Sequence, residues 1–544
     1  MTSQLTGGEA IVYSLIALGV DTIFALPGVQ NDYLFNALHD NQDKIRVIHT
    51  RHEQGAAYMA MGYALSLDRP GVYCVVPGPG FLNTTAALST AYATNAKVLC
   101  LTGQIASDTI GKEIGLLHEI PDQLGVMERL TKWAARINSP EEAPQLLTEA
   151  FTQMLSGRPR PVGLEVPLDV LSRKGQVDLT AVEPEIETPS LDLERIEQAA
   201  RLLGQAENPM IIVGGGAFHA REAVQELAEM LQAPVIPGRN GRGVLSNAHY
   251  LGMVAEDGYD LWAKTDVVIG IGSRMNRALY RWGADDSLKI IRIDIDPEAM
   301  DPIVSPDLPI VADSREAVMA LVTVLGKYNR QRPSRRDEML THKARMAAKY
   351  AQLEPQASIV KAIADEMPDD GIFVDEVTQI GYAARFMLPI HQPRSYITTG
   401  YQGTLGFGFP TALGVKVGNP DKPVLSVAGD GGFMFNVQEL ATAVQQQIGL
   451  VTMIFADGAY GNVRRMQKEN YDNRLIASDL HNPDFVKLAE SFAAQGIRAE
   501  SPDELRRAIR QGLAEKGPTL IEIPVGEMPS PWAITFPPPN RGRR

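Results

Sequence analysis

The sequence has few cysteines, no long apolar run and no cluster of basic residues. Only two of its 544 residues are cysteines, Cys74 and Cys100, and each lies in a short apolar stretch. Neither a disulfide framework nor a cysteine-based metal site is therefore expected, and both thiols are predicted to be buried. No segment reaches the roughly 18 apolar residues of a membrane span, and no basic region precedes the apolar amino-terminal stretch. We predict a cytoplasmic protein with no membrane partner.

Positive charge is also scarce. Lys and Arg number 51 against 65 Asp and Glu, for a formal net charge of −14, and the one basic run is the short tail "NRGRR". A phosphate backbone needs a basic face, so the balance argues against a nucleic-acid partner. The apolar fraction of 44% is ordinary for a folded globular protein. A chain this long is expected to form two to four domains.

Short β-rich runs alternate with helical patterns along most of the chain, as in "DTIFALP", "IRVIHT", "DVVIGIG" and "GLVTMIFAD". Such alternation predicts parallel sheets covered by helices on both faces. We expect an α/β protein with three doubly wound domains, at 1–176, 190–326 and 355–544. The polar stretch Val177–Glu194 is predicted to be a linker, and the charged stretch Gly326–Gln356 a connector with a surface helix.

Two acidic residues flank one strand–helix–strand unit near the carboxyl terminus, "GDGGFMFNVQELATAVQQQIGLVTMIFADGAYGN". Asp430 and Asp457 each follow an apolar run, so both should lie at carboxyl ends of parallel strands, where open α/β sheets bind ligands. Two carboxylates there repel each other unless a cation lies between them, and oxygen ligands suit Mg²⁺ or Ca²⁺. The helix that follows is predicted to bury Val437, Leu440, Ala441 and Val444 on one face. The unit is typical of a metal–diphosphate site.

The spacing alone leaves a structural alternative open. Asp430 could cap the helix after it, and Asp457 with Gly458 could form an ordinary turn. The other segments of the chain decide between the two interpretations.

The unit resembles the signature of thiamine diphosphate-dependent enzymes, a GDG followed at a strand–helix interval by an Asn-Asn pair. The resemblance implies that Asp430, Asp457 and the Ala459 carbonyl bind Mg²⁺, which anchors the cofactor diphosphate. This chain has Ala456-Asp457 in place of Asn-Asn, and we expect Asp to serve as an oxygen ligand with an altered metal affinity. The cofactor-binding residues implied here are Gly429, Asp430, Gly431, Gly432, Phe433, Asp457, Ala459, Tyr460 and Gly461.

Four further segments resemble the same family, in the same order along the chain. In "HTRHEQGAAYMAMGYA", Glu53 matches the family's catalytic glutamate, which hydrogen-bonds the aminopyrimidine ring of the cofactor. Taken by itself, a Glu in the first turn of a helix is explained by its favourable interaction with the helix dipole. In "GYQGTLGFG", Leu405 matches the wedge between the cofactor rings. The other cofactor-binding residues implied are Gly403 in that segment, Asn83 in "PGPGFLN", and Thr378 and Gln379 in "VDEVTQIGY".

The resemblance covers essentially the whole chain and implies a domain order: pyrimidine-binding, central, then diphosphate-binding. Glu53 and the diphosphate site belong to different domains, which in the family come from two chains. A homodimer or homotetramer with sites at the subunit interface is therefore implied.

Substrate recognition is less defined. His118, in "GKEIGLLHEIPDQ", stands where acetohydroxyacid synthases and benzaldehyde lyase carry a Gln near the reacting carbon, and we interpret it as a proton-handling residue; a structural role remains the alternative. Gln30 lies on another loop facing the substrate. Asn462, Val463 and Met466 match positions that line the substrate side. Of Arg464 and Arg465, at least one is expected to be solvated, and Trp532 is assigned to either a lid or the packing of the tail.

The group most resembled is that of acetolactate synthase large subunits, together with benzaldehyde lyase. The resemblance implies a thiamine diphosphate- and Mg²⁺-dependent 2-oxo acid decarboxylase or carboligase. One alternative is a lyase acting on a 2-hydroxy ketone or 2-hydroxyacyl-CoA, and another is a non-catalytic cofactor-binding homologue. FAD is the less favoured additional cofactor, because the glycines in "VGGGAFHA" and "GIGSR" are equally expected as turns.

Overall fold

The computed structural model describes residues 2–180, 183–300 and 303–542. Within them the strands are β1 (Thr2–Thr6), β2 (Thr22–Ala25), β3 (Arg46–His49), β4 (Gly71–Val75), β5 (Val98–Gln104), β6 (Trp133–Arg136), β7 (Val162–Pro167), β8 (Lys174–Asp178), β9 (Met210–Val213), β10 (Val235–Pro237), β11 (Val267–Ile271), β12 (Lys289–Asp294), β13 (Leu308–Val311), β14 (Ile372–Val374), β15 (Tyr396–Ile397), β16 (Val424–Gly429), β17 (Val451–Ala456), β18 (Gln495–Arg498) and β19 (Thr519–Pro524).

The α-helices of the same residues are α1 (Gly7–Ala17), α2 (Asp32–His39), α3 (Glu53–Leu67), α4 (Pro79–Asn83), α5 (Thr85–Thr94), α6 (Gln123–Leu130), α7 (Ala143–Leu155), α8 (Leu168–Ser172), α9 (Leu193–Gln205), α10 (Arg221–Leu231), α11 (Gly258–Trp262), α12 (Ser314–Leu325), α13 (Arg336–Tyr350), α14 (Gln356–Glu366), α15 (Gln379–Met387), α16 (Gly408–Gly418), α17 (Asp430–Phe433), α18 (Glu439–Gln445), α19 (Gly461–Asn470), α20 (Phe485–Ser491), α21 (Pro502–Ala514) and α22 (Trp532–Thr535).

Three parallel sheets organise the chain. The amino-terminal sheet has the order β3-β2-β4-β5-β7-β6, the central sheet β10-β9-β11-β12-β13, and the carboxy-terminal sheet β15-β14-β16-β17-β19-β18. Their inner strands are almost wholly buried, as parallel strands covered on both faces must be. The first and third sheets share one strand order, so they place equivalent loops at equivalent carboxyl ends. The predicted fold class is confirmed; the predicted domain limits stay predictions, and each sheet falls within one of them.

The first and third domains pack through helices α3 and α16, which cross at very short distance. A Cβ on Gly62 would lie 2.1 Å from the Thr411 carbonyl oxygen, and one on Gly414 would lie 1.9 Å from the Met59 carbonyl oxygen. Only glycine allows the two backbones to approach this closely. The side chains around the crossing form one buried apolar cluster that includes Tyr58, Phe407 and other residues of both domains. This contact fixes the start of α3 relative to the carboxy-terminal domain.

Several expectations about connections need correction. The predicted linker is already ordered at its start, because β8 pairs antiparallel with β1 and buries Val177; its residues 181–182 lie outside the described residues. The predicted surface helix is present as α13, which is exposed along most of its length and buries Met339, Met346 and Tyr350 on one face. The sequence patterns also missed six strands: β1, β6, β7, β8, β13 and β18. Their alternation is weak or interrupted by charged residues.

The two cysteines are buried, as their apolar surroundings predicted. Cys74 and Cys100 are both free, fully buried thiols, and burial raises the pKa of Cys100 to about 12. None of the described helices combines the length and apolar character that crossing a bilayer requires.

Candidate active site

The two acidic residues of the GDG unit lie at the ends of neighbouring strands. β16 and β17 pair in parallel, with Gly429 opposite Phe455, so Asp430 and Asp457 follow at the same edge of the sheet. Asp430 accepts hydrogen bonds from the backbone N–H of Gly431 and Gly458, both at 2.8 Å, and from Asn482 Nδ2 at 2.7 Å. Asp457 Oδ1 accepts from the Ala459 N–H at 3.1 Å. The carboxylates are thus oriented by short bonds to loops from both strands.

The electrostatics of the pair fit a cation. Burial raises the pKa of Asp430, and burial together with the Asp430 carboxylate raises the pKa of Asp457 to about 6. The Asp430 carboxylate therefore makes Asp457 harder to ionise, and a divalent ion between them would relieve that repulsion. Nowhere in residues 2–180, 183–300 and 303–542 do three His, Cys, Asp or Glu side chains converge on one metal position. A metal here would rely on two carboxylates, the Ala459 carbonyl and ligand oxygens.

Glycines let four segments meet around this pair. The nearest atoms to a Cβ on Gly429 would be those of the Thr378 side chain, at 3.8 Å, whereas a Cβ on Gly431 would collide with the Tyr460 ring at 2.7 Å. Gly406 approaches Phe435 equally closely, and the Asn436 side-chain amide donates to the Gly406 carbonyl at 2.8 Å. The segments after β14, β15, β16 and β17 therefore form one continuous surface. The structure brings together Thr378, Gly429, Asp430, Gly431, Gly432, Phe433, Asp457, Ala459, Tyr460 and Gly461, with Gly403 and Leu405 on the adjoining loop.

A buried glutamate lies under these loops, and the sequence patterns did not single it out. Glu376 is fully buried; one carboxyl oxygen accepts the Gly408 N–H at 2.8 Å, and the other has no hydrogen-bond partner among the described residues. Burial raises the pKa of Glu376 to about 8. A Cβ on Gly432 would approach this carboxyl group at 3.4 Å. Glu376 thus connects the segment after β14 with the loop before α16.

The amino-terminal domain places its candidate residues at the corresponding strand ends. Glu53 is the first residue of α3, which follows β3, and its Oε2 accepts from the Asn83 side-chain amide at 3.0 Å. Gly80, in α4, lies beside Glu53, since a Cβ there would make an ordinary contact of 3.5 Å with Glu53 Oε1. Glu53 is half-buried and Asn83 exposed, so both can meet a ligand.

His118 and Gln30 form a second pair in that domain. His118 Nδ1 lies 3.1 Å from Gln30 Oε1, and Gln30 Nε2 donates to the Leu117 carbonyl at 3.3 Å. The His118 backbone is left-handed, with φ of 69°. Gly78 approaches it so closely that a Cβ would lie 2.3 Å from the His118 carbonyl oxygen. The histidine ring is therefore held by a neighbouring amide, while its backbone packs against Gly78, just before α4 with Asn83.

The predicted substrate-side residues lie on α19, directly after the Asp457 loop. Val463 and Met466 are about half exposed, at 50% and 49%, and Asn462 Oδ1 accepts from the Trp532 indole N–H at 3.1 Å. Trp532 also contacts the rings of Tyr382 and Phe536. Trp532 therefore packs the carboxy-terminal tail against α19.

The two arginines of α19 differ. Arg464 is partly exposed and pairs with Asp479 at 2.9 Å, in line with the expectation that one of them is solvated. Arg465 is buried and donates to Gln379 Oε1 at 3.3 Å. Arg465 therefore positions Gln379 and is not available as a surface carboxylate receptor.

The helix after the GDG unit departs from its predicted apolar face. α18 buries Glu439, Leu440, Thr442 and Ala443, whereas Val437, Ala441 and Val444 are only partly buried. Glu439 is fully buried, and its carboxylate faces the amino-terminal domain. No local pattern signals this, because the partners of Glu439 lie almost 400 residues earlier in the chain.

Comparisons with known proteins agree with this architecture. Profiles of the thiamine pyrophosphate enzyme N-terminal TPP binding domain, central domain and C-terminal TPP binding domain match residues 5–126, 196–321 and 376–523. The chain is 34% identical to the probable 2-ketoarginine decarboxylase of Pseudomonas aeruginosa, over 95% of this chain and 94% of that protein. It is 32% identical to the acetolactate synthase isozyme 2 large subunit of Escherichia coli, over 98% of each.

These matches span all three sheets, so the chain belongs to the thiamine pyrophosphate enzyme family. Thiamine pyrophosphate is another name for thiamine diphosphate. The resemblance inferred from the sequence is confirmed, as is the prediction of an enzyme that depends on this cofactor. The roles assigned to individual residues stay predictions.

Proposed function

We propose that the protein is a Mg²⁺-dependent decarboxylase or carboligase of 2-oxo acids. The observation that supports this best is the paired Asp430 and Asp457 at adjacent strand ends, whose mutual repulsion fits a bound cation. The relatives named above are a probable 2-ketoarginine decarboxylase and an acetolactate synthase large subunit. When bound, thiamine diphosphate supplies the nucleophile and electron sink for cleaving or forming a bond next to a carbonyl.

The chain's own residues then divide the remaining tasks. Asp430, Asp457 and the Ala459 carbonyl would hold the metal that fixes the diphosphate, and the Gly429–Gly432 backbone would allow its close approach. Glu53, oriented by Asn83, would exchange a proton with a ring nitrogen of the cofactor. The pair His118 and Gln30 orients the substrate and handles its proton.

We further propose that the active unit is a homodimer or homotetramer in the cytoplasm. Within one chain, Glu53 hydrogen-bonds only a residue of its own domain, Asn83, among the side-chain partners described. Site-facing apolar side chains of both domains are exposed, including Tyr33 at 49%, Leu82 at 43% and Phe435 at 48%. A second copy of the chain would cover these surfaces and complete the site.

FAD stays the less favoured additional cofactor. A cavity of about 670 Å³ lies where the central domain meets the other two, lined by Gly214, Arg239, Arg274 and Tyr396 among others. Its glycines have a structural explanation, because a Cβ on Gly214 would lie 2.1 Å from the Gly272 carbonyl oxygen. The glycine pattern is therefore needed for the packing of two loops and does not require a flavin.

A panel of 2-oxo acids tests the proposal. The protein, supplied with thiamine diphosphate and Mg²⁺, is assayed with pyruvate and 2-ketoarginine for carbon dioxide and for ketol products. Release of carbon dioxide that stops on chelation of Mg²⁺ is the expected result. Cleavage of benzoin or a 2-hydroxyacyl-CoA without carbon dioxide would favour the lyase alternative, and cofactor binding without turnover of any substrate would favour a non-catalytic homologue.

A further inference from the structure

A buried carboxylate joins the two cofactor-binding domains beside the candidate catalytic glutamate. Glu439, on α18 of the carboxy-terminal domain, accepts a hydrogen bond from the His52 N–H at 2.9 Å. The Arg51 N–H lies between its two carboxylate oxygens, at 3.2 Å from Oε1 and 3.1 Å from Oε2. The Thr442 hydroxyl donates to Glu439 Oε2 at 2.7 Å and so fixes the carboxylate from its own helix. The side chain is fully buried. Bonds from a carboxylate to N–H groups are among the stronger hydrogen bonds in proteins.

The two N–H groups belong to the residues that precede Glu53. His52 is the N-cap of α3, and its Nδ1 accepts the Gln54 N–H at 3.1 Å. Glu439 therefore holds the turn from which α3 begins, and the direction of the Glu53 side chain depends on that turn. Gly55 makes room for this arrangement, since a Cβ there would lie 2.6 Å from the Glu439 carboxyl carbon.

A weaker bond connects the domains in the reverse direction. The Thr90 hydroxyl, on α5 of the amino-terminal domain, lies 3.1 Å from the Thr404 hydroxyl, one residue before Leu405. The two helices are equivalent in the shared strand order: α5 follows β4 in the amino-terminal domain, and α18 follows the corresponding strand β16 in the carboxy-terminal domain. Each domain thus uses an equivalent helix to contact the other domain: α18 contacts the segment before α3, and α5 contacts the segment before α16. The charged contact is the one made to the segment of Glu53.

We propose that Glu439 is a positioning residue for Glu53, which fixes the start of α3 through the Arg51 and His52 amides so that the glutamate meets the cofactor ring. The inference rests on the role proposed for Glu53. A purely structural role for Glu439 would predict a loss of stability with turnover per folded molecule unchanged. A positioning role predicts a loss of turnover in the Glu439 variant that is seen only when Glu53 is present.

Amide hydrogen exchange of the protein without added cofactor tests the geometric part. In Glu439→Ala the amides of Arg51 and His52 should exchange roughly 10-fold faster or more, because their acceptor is gone. Glu439→Gln keeps one acceptor oxygen and should show a smaller increase. Glu226→Gln, at an exposed position of α10, is the matched control and should leave these amides unchanged. Unchanged exchange in Glu439→Ala would overturn the proposal, whether or not the enzyme assay succeeds.

A double-mutant cycle tests the functional part. Glu439→Ala should lower kcat roughly 10-fold, while the affinity for thiamine diphosphate with Mg²⁺ changes less than about 3-fold. In a Glu53→Gln background, the same substitution should change the residual turnover by less than about 2-fold. Glu439→Gln should recover part of the loss. An equal loss in both backgrounds would show that Glu439 does not act through Glu53. Absence of turnover in the unsubstituted protein would instead count against the proposed function and leave the exchange result standing.

Discussion

The amino-terminal and carboxy-terminal sheets have one strand order and different chemistry. The end of β3 leads to Glu53 and the end of its counterpart β15 to Leu405; the end of β4 leads to Asn83 and that of β16 to Asp430. The same holds for β5 with His118 and β17 with Asp457. One side therefore presents a single carboxyl group with amides and a histidine, and the other a pair of acids. The scaffold fixes where functional residues can lie, and the loop residues fix what they do.

The largest effect should follow from changing the amino-terminal side. Glu53→Gln keeps the hydrogen bond partner Asn83 within reach and removes the ionisable group. Loss of a positioned acid–base group should lower kcat by roughly 10²–10⁴-fold. Cofactor affinity, measured by calorimetry, should stay nearly unchanged. Unchanged turnover would contradict the role assigned to Glu53.

The opposite pattern is expected on the carboxy-terminal side. Asp430→Ala removes a proposed metal ligand, so the Mg²⁺-dependent affinity for thiamine diphosphate should fall. Loss of a residue that only supports a metal ligand costs roughly 10–100-fold in affinity, and loss of a ligand should cost at least as much. Asp457→Asn retains an oxygen ligand and should bind the cofactor with Mg²⁺ still required. If Asp430→Ala bound as tightly as the unsubstituted protein, the two sheets would not divide the tasks as described.

The crossing of α3 and α16 can be broken without touching either set of residues. Gly414→Val places a side chain on a position whose Cβ would already lie 1.9 Å from the Met59 carbonyl oxygen. The overpacking should destabilise the protein by about 3 kcal/mol. Gly326→Ala, where a Cβ would meet no atom within 4 Å, is the control. Equal stability of the two variants in urea unfolding would contradict the tight crossing.

On the carboxy-terminal side, Glu376 should make stability depend on pH. Burial raises the pKa of Glu376 from 4.5 to about 8. Between these values the unfolded chain releases a proton that the folded protein keeps, so this group lowers stability progressively as pH rises from 4.5 to 8. The free energy of unfolding of Glu376→Gln, relative to that of the unsubstituted protein, should therefore be about 2–4 kcal/mol larger at pH 8 than at pH 4.5.

Urea unfolding at several pH values measures this difference. Glu226→Gln, at an exposed position, should show no such dependence. A gain that is the same at both ends of the range would show that the Glu376 carboxyl is not held protonated by burial.

The smallest effect concerns the neutral contact between the domains. Thr90→Val removes the bond to Thr404 and the local bond to the Ala86 carbonyl. Thr323→Val, at an exposed position of α12, removes only a local bond of the same kind, to the Met319 carbonyl. We expect Thr90→Val to cost about 1 kcal/mol more than Thr323→Val in unfolding free energy. Equal costs would mean that the Thr404 contact contributes nothing.

The sequence was most informative where chemistry is local. Asp430, Glu53 and Leu405 stand in short motifs next to strands of continuous apolar character, so their positions at strand ends could be predicted. Glu439 and Glu376 could not, because a charged residue inside an amphipathic pattern is ordinarily assigned to solvent, and their partners come from distant segments. The β1–β8 pairing and the shared strand order likewise depend on long-range contacts that no short window contains.

Calorimetric titration of the purified protein with thiamine diphosphate, with Mg²⁺ and then after chelation, tests the central claim most directly. The account predicts saturable binding that requires Mg²⁺, is lost in Asp430→Ala and is retained in Glu53→Gln. Binding of equal strength without the metal, or no binding in its presence, would contradict it.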